Sequence, residues 1–390
     1  MFTYKPSIAL IIIAVALQFI SGRISLNDEV INAMLIDNKF DEVLEQICPN
    51  KPEDQCFPPL EIALKSPREL LGLLKPATNH AGYSSTVYNH DDLFAIKLIT
   101  VENPDMLFYS LHEINTGILI KESLAADAIP NLMPTEQCCS QKLTDKRTNK
   151  TIYKFFIRMP YYPLGSLRSV MENEGNMHLL ESMVWCWNVI FGMIEGVLAI
   201  HSRQYIHRDL KPENILMKSF YTPQISDFGF TKRVHETTDT LLGTITYMAP
   251  EVPTGEPYNS KVDIFSLGVI MFEILTCGKY DIKKQGREGI LQFCNKAKPS
   301  DNTNLEYKKV VYCSFYQELV ALMLDENPEK RPDISKVREE FIKISAVWLA
   351  QSKPENIEIF EDEIHDLIVD VNTPFRILLA EYKNIAYQKI

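Results

Sequence analysis

The sequence predicts an α+β fold of two lobes: a small antiparallel-sheet lobe with one key helix, followed by a larger, mainly helical lobe. Three observations carry that expectation. Tyr83-Ser84-Ser85-Thr86-Val87-Tyr88 and Leu93 to Ile99 are β-prone runs on either side of a turn cluster, Asn89-His90-Asp91-Asp92. Glu181 to Gln204 and Lys261 to Thr276 are apolar on nearly every side, the pattern of buried helices. Between those helices runs a polar stretch, His207 to Gly229, in which the oxygen-bearing side chains Asp209, Asn214 and Asp227 are spaced by turn and strand.

Bulk properties bound the answer. The chain has 390 residues, 46% of them hydrophobic, so a sizeable core can form. The net charge of −11 argues against a broad nucleic-acid-binding surface, which needs a basic face. Of the eight cysteines none are spaced Cys-x-x-Cys, so no zinc site is indicated. Cys186 and Cys277 lie in apolar stretches and read as free core thiols. Cys48 and Cys56 bracket a polar loop and form the expected disulfide if the chain enters an oxidising compartment.

Taken in order, residues 1–22 come first. Lys5 precedes the apolar run Ile8 to Ile20, and Ser21-Gly22-Arg23 follow. This is the pattern of a secretory signal peptide; an uncleaved anchor and a buried N-terminal helix are the other readings. The first places the protein in the secretory pathway, the second at a membrane through residues 8–20. Residues 23–69 form a helical extension broken by the Pro-rich segment Pro49 to Pro59. From Leu70 the strand pattern begins. Pro104 to Lys121 reads as an amphipathic helix. Met133 to Tyr162 reads as two strands joined by a charged loop, Gln141 to Lys150. The two buried helices flank the polar stretch and give it a rigid floor. A helix runs to Leu349, and residues 350–390 form an acidic and amphipathic tail.

The polar stretch reads His207-Arg208-Asp209-Leu210-Lys211-Pro212-Glu213-Asn214 and, later, Asp227-Phe228-Gly229. Carboxylate and amide oxygens suit a hard cation such as Mg²⁺. Two complete, ordered motifs of this kind resemble the catalytic and metal-binding loops of the eukaryotic protein kinases. The resemblance spans residues 70–349, with an N-lobe over 70–158, a hinge over 159–164 and a C-lobe over 165–349.

The resemblance implies ATP and Mg²⁺ as cofactors and a protein substrate. Asp209 then orients the substrate hydroxyl and accepts its proton, Lys211 steadies the γ-phosphate, and Asn214 and Asp227 hold the metal. Phe94-Ala95-Ile96-Lys97 resembles the family's lysine strand, so Lys97 grips the α- and β-phosphates. Glu113 is the first choice to hold Lys97, with Glu102 and Glu122 as rivals. Gly82, Val87, Ala95, Met159, Tyr162 and Leu216 surround the nucleotide, and Tyr162 supplies a backbone amide because Pro160 and Pro163 cannot donate. Lys211-Pro212-Glu213-Asn214 and Gly243 to Glu251 resemble serine/threonine kinases, with Thr244 bonding near Asp209 and Lys211. Gly243 to Glu251 resembles the family's substrate-docking segment, and Glu251 and Arg331 match the buried ion pair beneath it. Arg208 is placed to receive a phosphate on Thr237, Thr238 or Thr240. One departure stands out: the three positions of the Gly-rich loop fall at His80, Gly82 and Ser85, so only Gly82 remains. That loss leaves a weak or inactive nucleotide-binding pseudokinase as the runner-up.

Overall fold

A computed structural model describes residues 77–80, 83–90, 94–102, 107–124, 131–144, 151–180, 182–233, 245–254, 258–276 and 316–351, with 289 and 292. The leader, the extension over 23–69, the Cys48–Cys56 pair, Gly82, Thr244, the three candidate phosphothreonines and the tail over 352–390 lie outside these residues. The chain divides into two compact units, Met1–Asp127 with Met133–Tyr161, and Ala128–Leu132 with Tyr162–Ile390.

Unit 1 is built on a five-stranded antiparallel sheet: β1 (Ala77–His80), β2 (Tyr83–His90), β3 (Phe94–Val101), β4 (Gln137–Thr144) and β5 (Thr151–Pro160), in the order β1-β2-β3-β5-β4. Two segments that the sequence places in a turn or a loop are strand. Asn89 and His90, expected in a turn, extend β2 and pair with Ala95 and Phe94. Gln141 to Thr144, expected in a loop, extend β4 and pair with Lys154 to Thr151. Backbone pairing outweighs the polar composition of these ends, because a strand edge facing water tolerates polar side chains. The short strand β1 carried no periodic signal of its own.

One face of the sheet is a small apolar cluster of Ile96, Cys139 and Phe156, with Phe94 and Leu98 against it. Residues of opposite parity on β3, among them Ala95, Ile99 and Val101, are buried on the other face. Helix α1 (Leu107–Leu124) covers that face with Leu111 and Ile114, both fully buried. Cys139 is disulfide-bonded, and neither Cys138 nor Cys186 is its partner.

Unit 2 is mainly helical. Its elements are α2 (Leu167–Glu172), α3 (Met177–Leu180), α4 (Met183–Ser202), β6 (Tyr205–Ile206), the hairpin β7 (Ile215–Ser219) and β8 (Thr222–Ile225), β9 (Lys232–Arg233), α5 (Lys261–Leu275), a helical run over 316–323 and α6 (Ile334–Gln351). Ser182 starts α4 by accepting a hydrogen bond from the Trp185 amide. By length and composition α4 is long and apolar enough to cross a membrane. Here it is the buried core helix of unit 2, with Trp185, Trp187, Val189 and Ile194 fully enclosed.

Two glycines on α4 set where the hairpin lies. A Cβ at Gly196 would meet Ile225 Cδ1 at 2.7 Å and the Asn131 carbonyl at 2.9 Å, and one at Gly192 would meet Pro223 Cγ at 2.6 Å. β8 therefore packs directly on the helix backbone. The Ile225 amide bonds the Asn131 carbonyl at 2.9 Å, which holds the end of β8 two residues before Asp227.

Candidate active site

In unit 1 the register of three strands selects the candidate residues. Val87 pairs with Lys97, and Ala95 pairs with Met159. Directly opposed residues project to the same face, as do residues two apart on one strand. Val87, Ala95, Lys97 and Met159 therefore share one face. α1 covers that face, and its buried Glu113 forms an ion pair with the Lys97 ammonium. Of the three candidate glutamates the structure selects Glu113. The signal for it was weak in sequence, because the segment reads as an amphipathic helix and an acidic residue on such a helix is ordinary.

In unit 2 the stretch from His207 to Phe228 is held by a network of side-chain hydrogen bonds. Asp209 is buried. Its Oδ2 accepts from Lys211 Nζ at 2.6 Å and from Asn214 Nδ2 at 2.9 Å. The same Asn214 amide donates to the Asp209 carbonyl at 2.8 Å. One carboxylate thus gathers the three groups expected to act together. Asn214 closes a 3-10 turn over Pro212–Asn214 that leads into β7. Its carbonyl accepts from both the amide and the hydroxyl of Ser226, each at 2.9 Å. This joins the Asn214 turn to the residue before Asp227.

His207 makes a second join. A carbonyl can only accept, so His207 Nε2 donates to Ser226 O at 3.0 Å, and its ring packs edge-on against Phe228 with centroids 5.7 Å apart. The other ring nitrogen, Nδ1, then accepts the Asp209 amide at 3.4 Å. Arg208 and Asp227 hold left-handed backbone, at φ 70° and 64°. Each costs about 1–3 kcal/mol in a non-glycine residue and persists only where the surroundings over-determine it.

Asp263 does that for Arg208. It accepts the His207 amide at Oδ2 and the Arg208 amide at Oδ1, both at 2.8 Å, and His201 Nε2 donates to Oδ2 at 2.8 Å. Complete burial would raise the Asp263 pKa, but these hydrogen bonds and the nearby histidines outweigh it and hold it below the ordinary value. Asp263 was missed in the sequence. The available signal was a single carboxylate in the first turn of a helix otherwise apolar on all sides. Arg208, expected to await a phosphate, donates to the Phe230 carbonyl and to Tyr258 Oη.

Arg331 meets Glu251 in the expected pair, which is bidentate, Nη1 to Oε1 at 2.7 Å and Nη2 to Oε2 at 2.8 Å. The Arg331 side chain is fully buried and also donates to the Asp325 carbonyl at 2.8 Å. Tyr162 accepts the Gly165 amide at its carbonyl at 2.9 Å, and Leu216 lies partly buried on β7, opposite Gln224.

The donor set fits Mg²⁺. The Asn214 amide nitrogen donates to the Asp209 carbonyl and carboxylate, which leaves the amide oxygen as the atom that can face a cation. With the Asp227 carboxylate this gives two oxygen donors of the hard type that Mg²⁺ takes from proteins.

A buried carboxylate bonded to a lysine and an asparagine, with a second acidic loop tied to it, is an arrangement suited to phosphoryl transfer. The protein kinase domain model matches residues 81–342, and the chain belongs to the eukaryotic protein kinase family. It is similar to an Aurora kinase of Yarrowia lipolytica, 36% identical over 136 residues, or 34% of this chain and 35% of the relative. It is similar to the serine/threonine-protein kinase fray1 of Dictyostelium discoideum, 33% identical over 193 residues, 48% of this chain and 32% of the relative. It is also similar to the human cAMP-dependent protein kinase catalytic subunit PRKX, 35% identical over 121 residues, 31% of this chain and 33% of the relative. The matched part of the chain thus spans about a third of the length of these relatives.

Proposed function

We propose that this chain transfers the γ-phosphate of ATP to serine or threonine hydroxyls of protein substrates. The observation that carries the reading is the Asp209 carboxylate, buried and held jointly by Lys211 and Asn214. Bound ATP with magnesium would supply the phosphoryl group and neutralise its charge, with Asn214 and Asp227 as the protein ligands of the metal. Asp209 orients the substrate hydroxyl and takes its proton as the oxygen bonds the γ-phosphorus and the bond to ADP breaks. Lys211 stabilises charge on the transferring group. Lys97, kept in place by Glu113, binds the remaining phosphates. The serine/threonine preference is supported by Lys211 itself and by the names of the relatives.

The test is transfer of labelled phosphate to a generic basic protein, followed by phosphoamino-acid analysis. Asp209→Ala should lower the rate by about 10³-fold or more, since it removes the group that positions and deprotonates the nucleophile. Its melting temperature should stay near that of the wild type. Normal transfer by Asp209→Ala sinks the mechanism, and label on tyrosine sinks the specificity.

A second reading, nucleotide binding without transfer, is supported by His80 and Ser85 at two glycine positions of the phosphate-covering hairpin. Silence in the same assay, with ATP binding retained, would favour it. The compartment we propose is the secretory pathway or a membrane surface. It is supported by the leader pattern and by the disulfide at Cys139. Peptide mapping of the secreted or membrane fraction without reductant tests this.

A further inference from the structure

Arg168 lies in the first turn of α2 and bonds three segments that are remote in sequence. Its Nη1 donates to Glu273 Oε1 at 2.7 Å, and its Nη2 donates to Glu273 Oε2 at 3.3 Å and to Tyr247 Oη. Its Nε donates to Glu213 Oε1 at 3.1 Å. Tyr247 Oη in turn donates to Glu273 Oε2 at 2.8 Å. The partners lie 45, 79 and 105 residues away along the chain.

The network is enclosed where it matters. Glu273 and Tyr247 are buried, and Arg168 is partly buried. Burial opposes the Arg168 charge, but Glu273 more than compensates and raises its pKa further. Burial and the Glu273 charge likewise raise the Tyr247 pKa, so its hydroxyl stays a donor. Only a planar guanidinium, with five donors in a fixed fork, can serve Glu213, Tyr247 and Glu273 together.

Each partner belongs to a different working part. Glu213 adjoins Asn214 within the Pro212–Asn214 turn, and Asn214 holds Asp209. Tyr247 ends the Ile245–Tyr247 turn, four residues before Glu251, in the segment resembling the family's substrate-docking element. Glu273 stands on α5, which also carries Asp263. Nothing in the Asp209 cluster requires this second connection, because Asp209 is already held by Lys211 and Asn214.

We infer that Arg168 is a positioning residue for the protein substrate: it holds the catalytic turn and the docking segment in one fixed register. What the docking segment does rests on the kinase reading; the coupling itself rests on geometry alone. Arg168 touches no catalytic group directly, so its loss acts on substrate placement before it acts on chemistry.

The test uses the full chain with Arg168→Lys, Arg168→Met and Tyr247→Phe. Arg168→Lys keeps a cation near Glu273 but cannot reach all three partners. It should melt near the wild type, raise the KM for a peptide substrate about tenfold and leave the KM for ATP unchanged. Amide hydrogen exchange should speed up by about tenfold in residues 212–219 and 245–252 together, with α4 unchanged. Tyr247→Phe keeps the Arg168 pairs to Glu213 and Glu273, so it should loosen residues 245–252 and leave 212–219 protected. Arg168→Met should show both segments loosened at least as much as Arg168→Lys does. A wild-type peptide KM in Arg168→Lys, or faster exchange in one of its two segments alone, overturns the inference. So does uniformly faster exchange through unit 2 in that variant, which would make Arg168 a purely structural residue. If the wild type transfers no phosphate, the kinase reading falls, while the exchange measurements still decide the coupling.

Discussion

The stretch from His207 to Phe228 and the hairpin β1–β2 are both expected to handle phosphate, and they are built on opposite principles. The first is held by side chains. Asp263, Asn214, His207 and Ser226 each make two or more specific bonds, and these keep Arg208 and Asp227 in backbone conformations that neither would choose alone. The second is held by backbone pairing, with Ala77 opposite Ser85 and His80 opposite Tyr83. Val87, on the same hairpin, is 39% exposed. Buried polar networks tolerate little change because an unmatched member is costly in low dielectric. A backbone-paired hairpin accepts side-chain change: this one carries His80 and Ser85 at two of the three glycine positions, and its register shifts between Ala77 and His80.

The largest break of that contrast should come from Arg331→Met. It leaves Glu251 half of a buried pair, a loss of about 3–5 kcal/mol. Chemical denaturation should show a lower midpoint, and a midpoint near that of the wild type would mean that Glu251 finds water or another partner.

Asp263→Asn should cost about 1–3 kcal/mol, since one of the two backbone amides it serves would face a donor. Its pH dependence is a separate signature. The folded pKa of Asp263 lies below its ordinary value of 3.8, so its contribution is fully present above that value and is lost as pH falls through the lowered one. Wild-type melting temperatures should therefore fall more steeply below about pH 4 than those of Asp263→Asn. Parallel acid limbs would contradict the assignment.

Gly196→Ala should cost about 1–3 kcal/mol, because the added methyl forces Ile225 and the Asn131 carbonyl apart. Its informative consequence is at the site. β8 leads to Asp227, so the metal dependence of transfer should weaken along with stability. Loss of stability with an unchanged magnesium requirement would separate hairpin packing from the site.

The smallest effect belongs to the hairpin. His80→Gly with Ser85→Gly should lower the KM for ATP by about threefold, by letting backbone amides approach phosphate, with no gain in stability. An unchanged KM would show that the glycine losses do not limit binding.

The contrast also explains what could be read in advance. Asp209, Lys211, Asn214 and Asp227 were legible because their order and spacing survive within about twenty residues, whatever the rest of the chain does. Lys97 was legible because it sits in a strand of clear β pattern. The buried helices were legible because an apolar surface on all sides has one common cause. The charged end of β4 was misread because composition suggests a loop, while pairing with β5 decides otherwise. His201, Ser226 and Asp263 gave no local signal, since a serine, a histidine or one acidic residue in a helix is ordinary.

By itself, then, the sequence determined which residues make up the candidate site, the order of strands before helices, and which helices are interior. These follow from short spacing and from hydrophobic period, both local properties. Only the tertiary structure decided that Glu113, rather than Glu102 or Glu122, takes Lys97 and that Asp263 holds the backbone of His207 and Arg208. It also decided that one guanidinium joins Glu213, Tyr247 and Glu273. Those bonds close loops of up to about a hundred residues, and their partners are selected by packing that no window of sequence contains.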